Sequence, residues 1–361
     1  MKFFVSCGEA SGDLHLSYLV KSINSRYENV EFFGVAGEKS EKEGVKILQN
    51  IDELAIMGFT EILKKYKFLK NKAQDYINFI RENDIKNVIL IDYGGFNLKF
   101  LEMLKKEIEH IKVFYYIPPK IWIWGEKRIH KLKLADHIMV IFPWEVDFYK
   151  KHNVNAIYYG NPFSDIYKKN EKSGEKILLL PGSRKQEILS MIPIFLEIVK
   201  ALKDKNFVLK LNSLNDLIYT KEIEKQKNIE ITIEKSLKDI TKECELGIAT
   251  SGTVTLELAL LNLPTIVVYK TSAINYFIAK YILKVGYISL PNLIANLEIF
   301  PELIQNKCNS KEIIKNIGLI QKNKKLVFSK IEGMREKIAG KAVIGSYADF
   351  LMEKKYEDTK I

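Results

Sequence analysis

The stretch Phe3-Phe4-Val5-Ser6-Cys7-Gly8-Glu9-Ala10-Ser11-Gly12-Asp13-Leu14-His15 decides the fold. A short apolar run ends in a glycine turn and passes directly into an amphipathic segment that reaches Tyr27. A strand that is apolar on both faces and feeds a helix is the opening unit of a parallel sheet covered on both sides. Working outward, the spacing predicts strands over Phe3–Cys7, Val30–Val35, Val88–Ile91 and Val113–Ile117. It predicts helices over Asp13–Tyr27 and Phe100–Glu109, and the end of another over Tyr76–Asn83. The polar stretch Tyr167 to Glu175 has linker character. Beyond it the pattern restarts, with strands over Lys176–Leu180, Phe207–Leu211, Leu246–Ala249 and Thr265–Tyr269 and helices over Glu187–Leu202 and Thr253–Leu261. The chain reads as an α/β protein of two doubly wound domains, 1–166 and 167–334.

Composition agrees with two ordinary domains. The 361 residues are 47% apolar and 28% charged, which excludes disorder, collagen and a disulfide miniprotein. No window of about 18 residues is free of charge, Gly and Pro, so a membrane-spanning helix is not expected. The opening run lacks the length and cleavage site of a signal peptide. Three distant cysteines (Cys7, Cys244, Cys308) read as reduced thiols, the usage of a cytoplasmic protein. The net charge of +11 favours anionic partners: nucleic acid, a membrane surface or phosphorylated ligands. A solvated lysine surface explains most of it, because only Arg26, Arg81, Arg128, Arg184 and Arg335 are arginines among 56 basic residues. Each arginine therefore marks a place where a planar fork is needed.

In open α/β sheets the ligand lies outside the carboxyl ends of the strands, and the cleft between two such domains is the expected site. Six motifs fall at such ends. In Cys7-Gly8-Glu9-Ala10-Ser11-Gly12-Asp13, the glycines allow close backbone approach and Ser11 or Asp13 is placed to cap the helix. Its N–H groups suit an anion, although an ordinary capped turn has the same spacing. In Ile91-Asp92-Tyr93-Gly94-Gly95-Phe96-Asn97, a partly desolvated Asp92 would titrate in the range a base needs; the alternative is an Asx turn. Tyr115 to Trp124 carries a proline pair and two tryptophans that shape a pocket or pack the core.

The second half supplies the rest. Leu180-Pro181-Gly182-Ser183-Arg184, with Glu187, places a rare guanidinium where phosphate would meet backbone N–H groups. In Thr250-Ser251-Gly252-Thr253-Val254-Thr255-Leu256-Glu257, Ser251 or Thr253 would cap a helix, and Glu257, one turn on, can accept both hydroxyls of a ribose. Leu290-Pro291-Asn292-Leu293-Ile294-Ala295 is followed by Pro301-Glu302-Leu303-Ile304-Gln305. There is no G-x-G-x-x-G, no Walker A loop, no metal spacing among five histidines and no Asp-x-Asp, so neither a cofactor nor a metal is called for.

The first, fourth, fifth and sixth of these motifs, with Pro143-Trp144-Glu145 and the segment Leu54 to Gly58, resemble the lipid-A-disaccharide synthase family along nearly the whole chain. The resemblance implies a GT-B fold, two Rossmann-like domains facing a central cleft, with a C-terminal helix over about 335–361 packing back on the first domain. It implies metal-free, inverting transfer of 2,3-diacylglucosamine from its UDP donor to 2,3-diacylglucosamine 1-phosphate. By position Asp92 matches the family's essential acid, Arg184 its diphosphate-side arginine, and Glu9 a residue that orients the acceptor or shares the base's work. Donor positions are Ser183, Arg184, Ser251, Gly252, Thr253, Glu257, Asn292, Glu302 and Gln305; acceptor-side positions are Gly8, Ser11, Gly12, Asp13 and Asn97. Two departures stand out: Asp92-Tyr93-Gly94-Gly95-Phe96-Asn97 replaces the usual D-x-P-D-F-N, and Gly160-Asn161-Pro162 replaces G-H-P.

The implied partners are the two acylated sugars and the cytoplasmic face of the inner membrane, met peripherally, with no nucleic acid; a homodimer is also considered. Met57 to Lys72 is the candidate membrane surface, with Phe59, Ile62, Leu63 and Tyr66 on one helical stripe and lysines around it; a core-facing stripe is the alternative. Rival readings are another UDP-sugar enzyme, such as a UDP-N-acetylglucosamine 2-epimerase or a peptidoglycan glycosyltransferase, and a basic membrane- or nucleic-acid-binding protein. Because no Asp-x-Asp is available to hold a metal–diphosphate, turnover should persist in excess EDTA, measured as product formed with and without chelator; strict dependence on added magnesium would contradict this.

Overall fold

The computed structural model describes residues 1–51, 62–123, 125–171, 174–270 and 286–353, the side chains of 62–67 excepted. The expected membrane stripe and the Leu54 to Gly58 segment therefore lie outside the described residues or side chains. The chain divides into two compact units. One comprises Met1–Asp165 with the segment from Gly340; the other is Ile166–Ala339.

The first unit is built on β1 (Lys2–Ser6), β2 (Glu31–Ala36), β3 (Val45–Asn50), β4 (Asn87–Ile91), β5 (Lys112–Tyr116), β6 (His137–Met139) and β7 (Ala156–Ile157). These form one parallel sheet in the order β3-β2-β1-β4-β5-β6-β7. Its helices include α1 (Ala10–Asn24), α2 (Ile62–Glu82), α3 (Gly94–Glu107) and α4 (Pro143–Lys151). Strand β1 is buried on both faces: Phe3 stacks on Phe32 at 5.4 Å, and Phe4 meets Tyr76 of α2 and Phe100 of α3. Each such ring contributes about 2–3 kcal/mol by leaving water, which explains why the apolar run alone identified the strand.

The second unit is a parallel sheet of β8 (Lys176–Leu180), β9 (Phe207–Lys210), β10 (Ile229–Thr232), β11 (Cys244–Thr250), β12 (Thr265–Tyr269) and β13 (Glu302–Ile304), in the order β10-β9-β8-β11-β12-β13. It carries α5 (Lys185–Ala201), α6 (Val254–Leu260), α7 (Leu290–Ala295), α8 (Ser310–Lys322) and α9 (Lys324–Ile338). Ile188, Met191, Phe195 and Ile198 of α5 pack on Ile177, Leu179 and Leu209 of the sheet. Both sheets reverse strand order once, between β1 and β4 and between β8 and β11. Those two reversals are the topological switch points at which ligands bind in doubly wound folds.

After α9 the chain returns to the first unit as α10 (Val343–Leu351). Tyr347 Oη donates to the carbonyls of Val140 and Gly160, and Tyr159 N–H donates to Tyr347 Oη. Arg26 grips Asp349 and the Gly345 carbonyl. The returning segment begins at Gly340, whereas Arg335 stays in the second unit, its fork on the Leu260 carbonyl at the end of α6 (2.6 Å). The spacing missed β3, β6, β7, β10 and β13, which lie at or near sheet edges and are mixed in polarity, all but β3 being short as well.

Candidate functional site

At the first switch point one side chain joins two strand ends. Asn97, in the first turn of α3, is fully buried. Its Nδ2 donates to the carbonyls of Ser6 (3.0 Å), Ile91 (3.1 Å) and Asp92 (3.2 Å), while Ser6 Oγ donates to its Oδ1 at 2.7 Å. The chain leaving β4 is left-handed at two successive residues, Asp92 (φ 43°) and Tyr93 (φ 46°), and the chain leaving β5 is left-handed at Ile117 (φ 54°). Such angles are uncommon outside glycine and exceptional for a β-branched residue. They persist because hydrogen bonds over-determine them. Asp92 N–H donates to Ile117 O (3.0 Å), Ile117 N–H to Met139 O (2.8 Å), and Tyr115 Oη to Asp92 O (2.8 Å).

This geometry sets the carboxyl of Asp92. Burial pushes it up to about 6; the ammonium of Lys120 opposes that rise, the charge of Glu9 adds to it, and Tyr93 N–H holds it back. Glu9 is exposed at the start of α1, and the Tyr93 ring lies over Gly8, where a Cβ would come within 2.1 Å of it. Gly8, Glu9, Asp92 and Asn97 are therefore brought together.

Asp13 is not part of that group. Its buried carboxylate accepts from the N–H groups of Gly37 (2.9 Å), Lys39 (3.1 Å) and Ser40 (3.2 Å), capping the short helix Glu38–Lys42. Neither Ser11 nor Asp13 caps α1, which begins at Ala10 after an uncapped Glu9, one turn earlier than the spacing suggested. Gly12 packs against Cys7 and Ile91. Asn161, in the departing G-N-P string, is buried and spends its amide on Ile141 O and Phe163 N–H.

Three further titratable residues of the first unit gave no sequence signal as a group. His15 is stacked on Phe163 at 4.5 Å, and burial, with Lys120, pushes its imidazole down to about 3. Glu145 is buried and pushed up to about 7 by burial, against hydrogen bonds from Trp122 Nε1 (3.1 Å) and Phe142 N–H (3.1 Å) and the charge of Lys120. Its legible signal was its place three residues after Phe142, where an acid closes a helix start. Lys120 itself follows the proline pair Pro118-Pro119 and is exposed.

At the second switch point the chain leaves β8 through Gly182 (φ 107°). The N–H groups expected to receive phosphate, those of Ser183 and Arg184, donate instead to Glu187 Oε2 (3.0 and 3.2 Å). A Cβ at Gly182 would lie 2.3 Å from that same oxygen, so the glycine makes room for the carboxylate. The Arg184 guanidinium projects into solvent and forms no ion pair with any described residue. By contrast Arg26, Arg81 and Arg335 all spend their forks on carboxylates or carbonyls of the fold.

From β11, Ser251 Oγ donates to Ile288 O (3.1 Å) and does not cap α6; Thr253 is the terminal residue without a side-chain cap. Gly252 is exposed with no described atom crowding it, and the Thr250 hydroxyl is buried with no hydrogen-bond partner among the described residues. Glu257 Oε2 accepts from Tyr167 Oη at 2.5 Å, so one of the oxygens assigned to a ribose is already engaged, by a residue the sequence gave no reason to choose. Asn292 and Glu302 bind each other (2.9 Å). Asn292 also engages Ile299 and Phe300, and Glu302 accepts from Ile288 N–H, Ser289 N–H and Ser289 Oγ. Their polar atoms hold the loop entering α7. Gln305 follows β13 in a left-handed turn (φ 54°).

The family profile for lipid-A-disaccharide synthetase matches residues 3–343. The lipid-A-disaccharide synthase of Geobacter metallireducens is 32% identical over 336 residues, covering 88% of this chain and 87% of the relative. That of Sulfurihydrogenibium sp. is 34% identical, covering 86% and 87%. Among solved structures, UDP-GlcNAc 2-epimerase of Neisseria meningitidis bound to UDP-GlcNAc has a TM-score of 0.60 at 11% identity, covering 98% of this chain and 99% of that one. MurG of Acinetobacter baumannii has a TM-score of 0.60 at 12% identity, covering 98% and 99%. At such identities the likeness is one of fold, the GT-B arrangement of two parallel α/β sheets.

The geometry of Asp13 gives a stability prediction. Asp13→Ala strands two buried N–H donors and a part-buried third, and should cost about 3 kcal/mol, read as a lowered denaturation midpoint.

Proposed function

The chain belongs to the lipid-A-disaccharide synthase family, and from that membership we propose how its residues divide the work. The protein is a glycosyltransferase of lipid A biosynthesis. It condenses UDP-2,3-diacylglucosamine with 2,3-diacylglucosamine 1-phosphate to form lipid A disaccharide 1-phosphate, a β-1′,6 linkage, and UDP.

Asp92 is the general base. It takes the proton of the acceptor 6-hydroxyl as that oxygen forms its bond to the donor's anomeric carbon. The bond from that carbon to the diphosphate breaks with inversion, and its electron pair leaves on UDP. The observation that carries this reading is the carboxyl at the β1/β4 switch point, raised to about 6 by burial in a left-handed turn. A base of that strength is ionised at neutral pH yet strong enough to accept a proton in the transition state. Glu9, exposed beside it, orients the acceptor. Arg184, whose fork no described residue engages, neutralises the departing diphosphate, and the open turn at Ser251–Thr253 admits the nucleotide. Asn292, Glu302 and Tyr167 act through the segments they hold, and Asn97 through Asp92.

Both substrates bear acyl chains, and no described helix is long and apolar enough to cross a membrane. We infer that the enzyme meets the cytoplasmic face of the inner membrane peripherally, consistent with its net charge of +11. The functional reading is tested by incubating the purified protein with diacylated and non-acylated UDP-sugars and acceptor, then weighing products by mass spectrometry. A disaccharide 1-phosphate formed from the acylated pair supports it; turnover of UDP-N-acetylglucosamine alone would overturn it.

Two substitutions test the assignments. Asp92→Asn should abolish turnover while leaving UDP affinity within about twofold. The same change should stabilise the protein at pH 7. A carboxyl whose folded pKa is raised above its unfolded value favours the neutral form, so its contribution to stability falls as pH rises from about 4 to about 6. Removing the charge should recover about 1–2 kcal/mol, discounted because the side chain is partly exposed, and visible as a higher Tm. Arg184→Lys keeps the charge and loses the fork; kcat/KM should fall about tenfold, or about 1.4 kcal/mol.

A further inference from the structure

Two helices begin with the same device. At the start of α5, Glu187 turns Oε2 back onto the N–H groups of Ser183 (3.0 Å) and Arg184 (3.2 Å). At the start of α4, Glu145 turns Oε2 back onto those of Ile141 (3.3 Å) and Phe142 (3.1 Å). An acid at the third helical position makes this reach at many helix starts. The two differ in burial and in the second oxygen. Glu187 is partly exposed, and only its Oε2 is bonded to described residues. Glu145 is buried, at 3% exposure, and its Oε1 accepts the indole N–H of Trp122 at 3.1 Å, from the loop that leaves β5. Burying a carboxyl group is costly, and Glu187 shows that the cap alone does not require it. The bond to Trp122 is what the burial adds.

That loop runs between two anchors. At one end Ile117 holds the turn that carries Asp92: its carbonyl accepts from Asp92 N–H (3.0 Å), and its own N–H donates to Met139 O (2.8 Å). Pro119 lies against Gly94, where a Cβ would come within 2.7 Å of the proline ring. Two consecutive prolines leave the segment little freedom, Ile121 N–H closes a turn onto Pro119 O (2.6 Å), and Ile121 is buried. At the other end Trp122 meets Trp144 edge-on, with ring centroids 5.6 Å apart, and Trp144 stacks on Phe142 at 4.7 Å. Ring contacts alone leave an indole room to slide, whereas a hydrogen bond to a buried carboxyl group fixes its direction. A shift of Trp122 would pass along this stiff loop to Ile117, and from there to the Asp92 amide.

We propose that Glu145 is a positioning residue for the base: through Trp122 it sets the loop 117–122 against the Asp92 turn and keeps that turn closed to water. This rests on the reading of Asp92 as general base. Glu145 takes no part in the bond changes, and it acts through the indole rather than through its own charge; the charges that bear on Asp92 are those of Lys120 and Glu9.

The test compares the full-length wild type with Trp122→Phe and Glu145→Gln. Trp122→Phe removes the N–H and keeps an aromatic ring and every charge. In Glu145→Gln one amide oxygen cannot serve both Trp122 and the two backbone N–H groups. In each variant kcat should fall about tenfold or more, with KM for the UDP donor within about twofold. The carboxyl-carbon NMR midpoint of Asp92 should fall from about 6 toward about 4 as water enters the turn. That midpoint is a readout that mere loss of stability in the folded protein would not move, and the uncharged Trp122→Phe shows that charge removal is not its cause. A kcat within about twofold of the wild type in Trp122→Phe overturns the proposal, as does a fall in kcat with the Asp92 midpoint unmoved. Variants that only unfold assign the contact to stability and likewise overturn it. If Asp92→Asn abolishes turnover and these variants do not, the positioning role alone fails; if Asp92→Asn still turns over, the base reading falls and the positioning role with it.

Discussion

Everything at the first site depends on how one buried amide holds two strand ends. Parallel strands on either side of a switch point diverge into separate loops, and nothing in the sheet ladder fixes those loops relative to each other. Asn97 does so by donating to carbonyls at the ends of both β1 and β4 and accepting from Ser6. With the amide in place, the chain after β4 must turn sharply, and it does so through two left-handed residues. That conformation costs of order 1–3 kcal/mol per residue, offset by the bonds around it. It leaves the carboxyl of Asp92 too buried to be an ordinary surface acid and too free of partners to be an ion-pair carboxylate.

The second unit meets the same topological problem with different chemistry. There the chain after β8 turns through Gly182, and the amides of Ser183 and Arg184, just before α5, are bound by the chain's own Glu187. Those two amides are thereby taken by an internal carboxylate, while the Arg184 guanidinium nearby pairs with no described residue, which is what the proposed role for it draws on. The scarcity of arginine makes that division visible. Arg26, Arg81 and Arg335 each fasten one part of the fold to another, whereas Arg184 stands exposed.

Much of this was legible in the residues. Phe3–Cys7 and Lys176–Leu180 announced parallel strands because both of their faces are buried, and the motifs at their ends marked both switch points. Asp92 was legible for the same reason: an acid directly after a fully apolar strand cannot be well solvated. What pattern could not reach was pairing. Asp13 looked like a cap for its own helix and instead caps another, 24 residues away. Asn292 and Glu302 looked like separate positions, and the fold bonds them to one another and to their loop. Tyr167 sits in a polar linker, and only the tertiary structure brings its hydroxyl to Glu257. Hydrogen-bond partners distant in sequence leave no period and no spacing to read.

The central claim is that burial in this turn, set by Asn97, gives Asp92 the proton affinity of a base working near neutral pH. The most direct measurement is an NMR titration of side-chain carboxyl carbons in protein labelled at aspartate, with the Asp92 resonance identified by its absence in Asp92→Asn. A midpoint near 6 is the expected result. A midpoint near 4, the value of a solvated aspartate, would contradict the account.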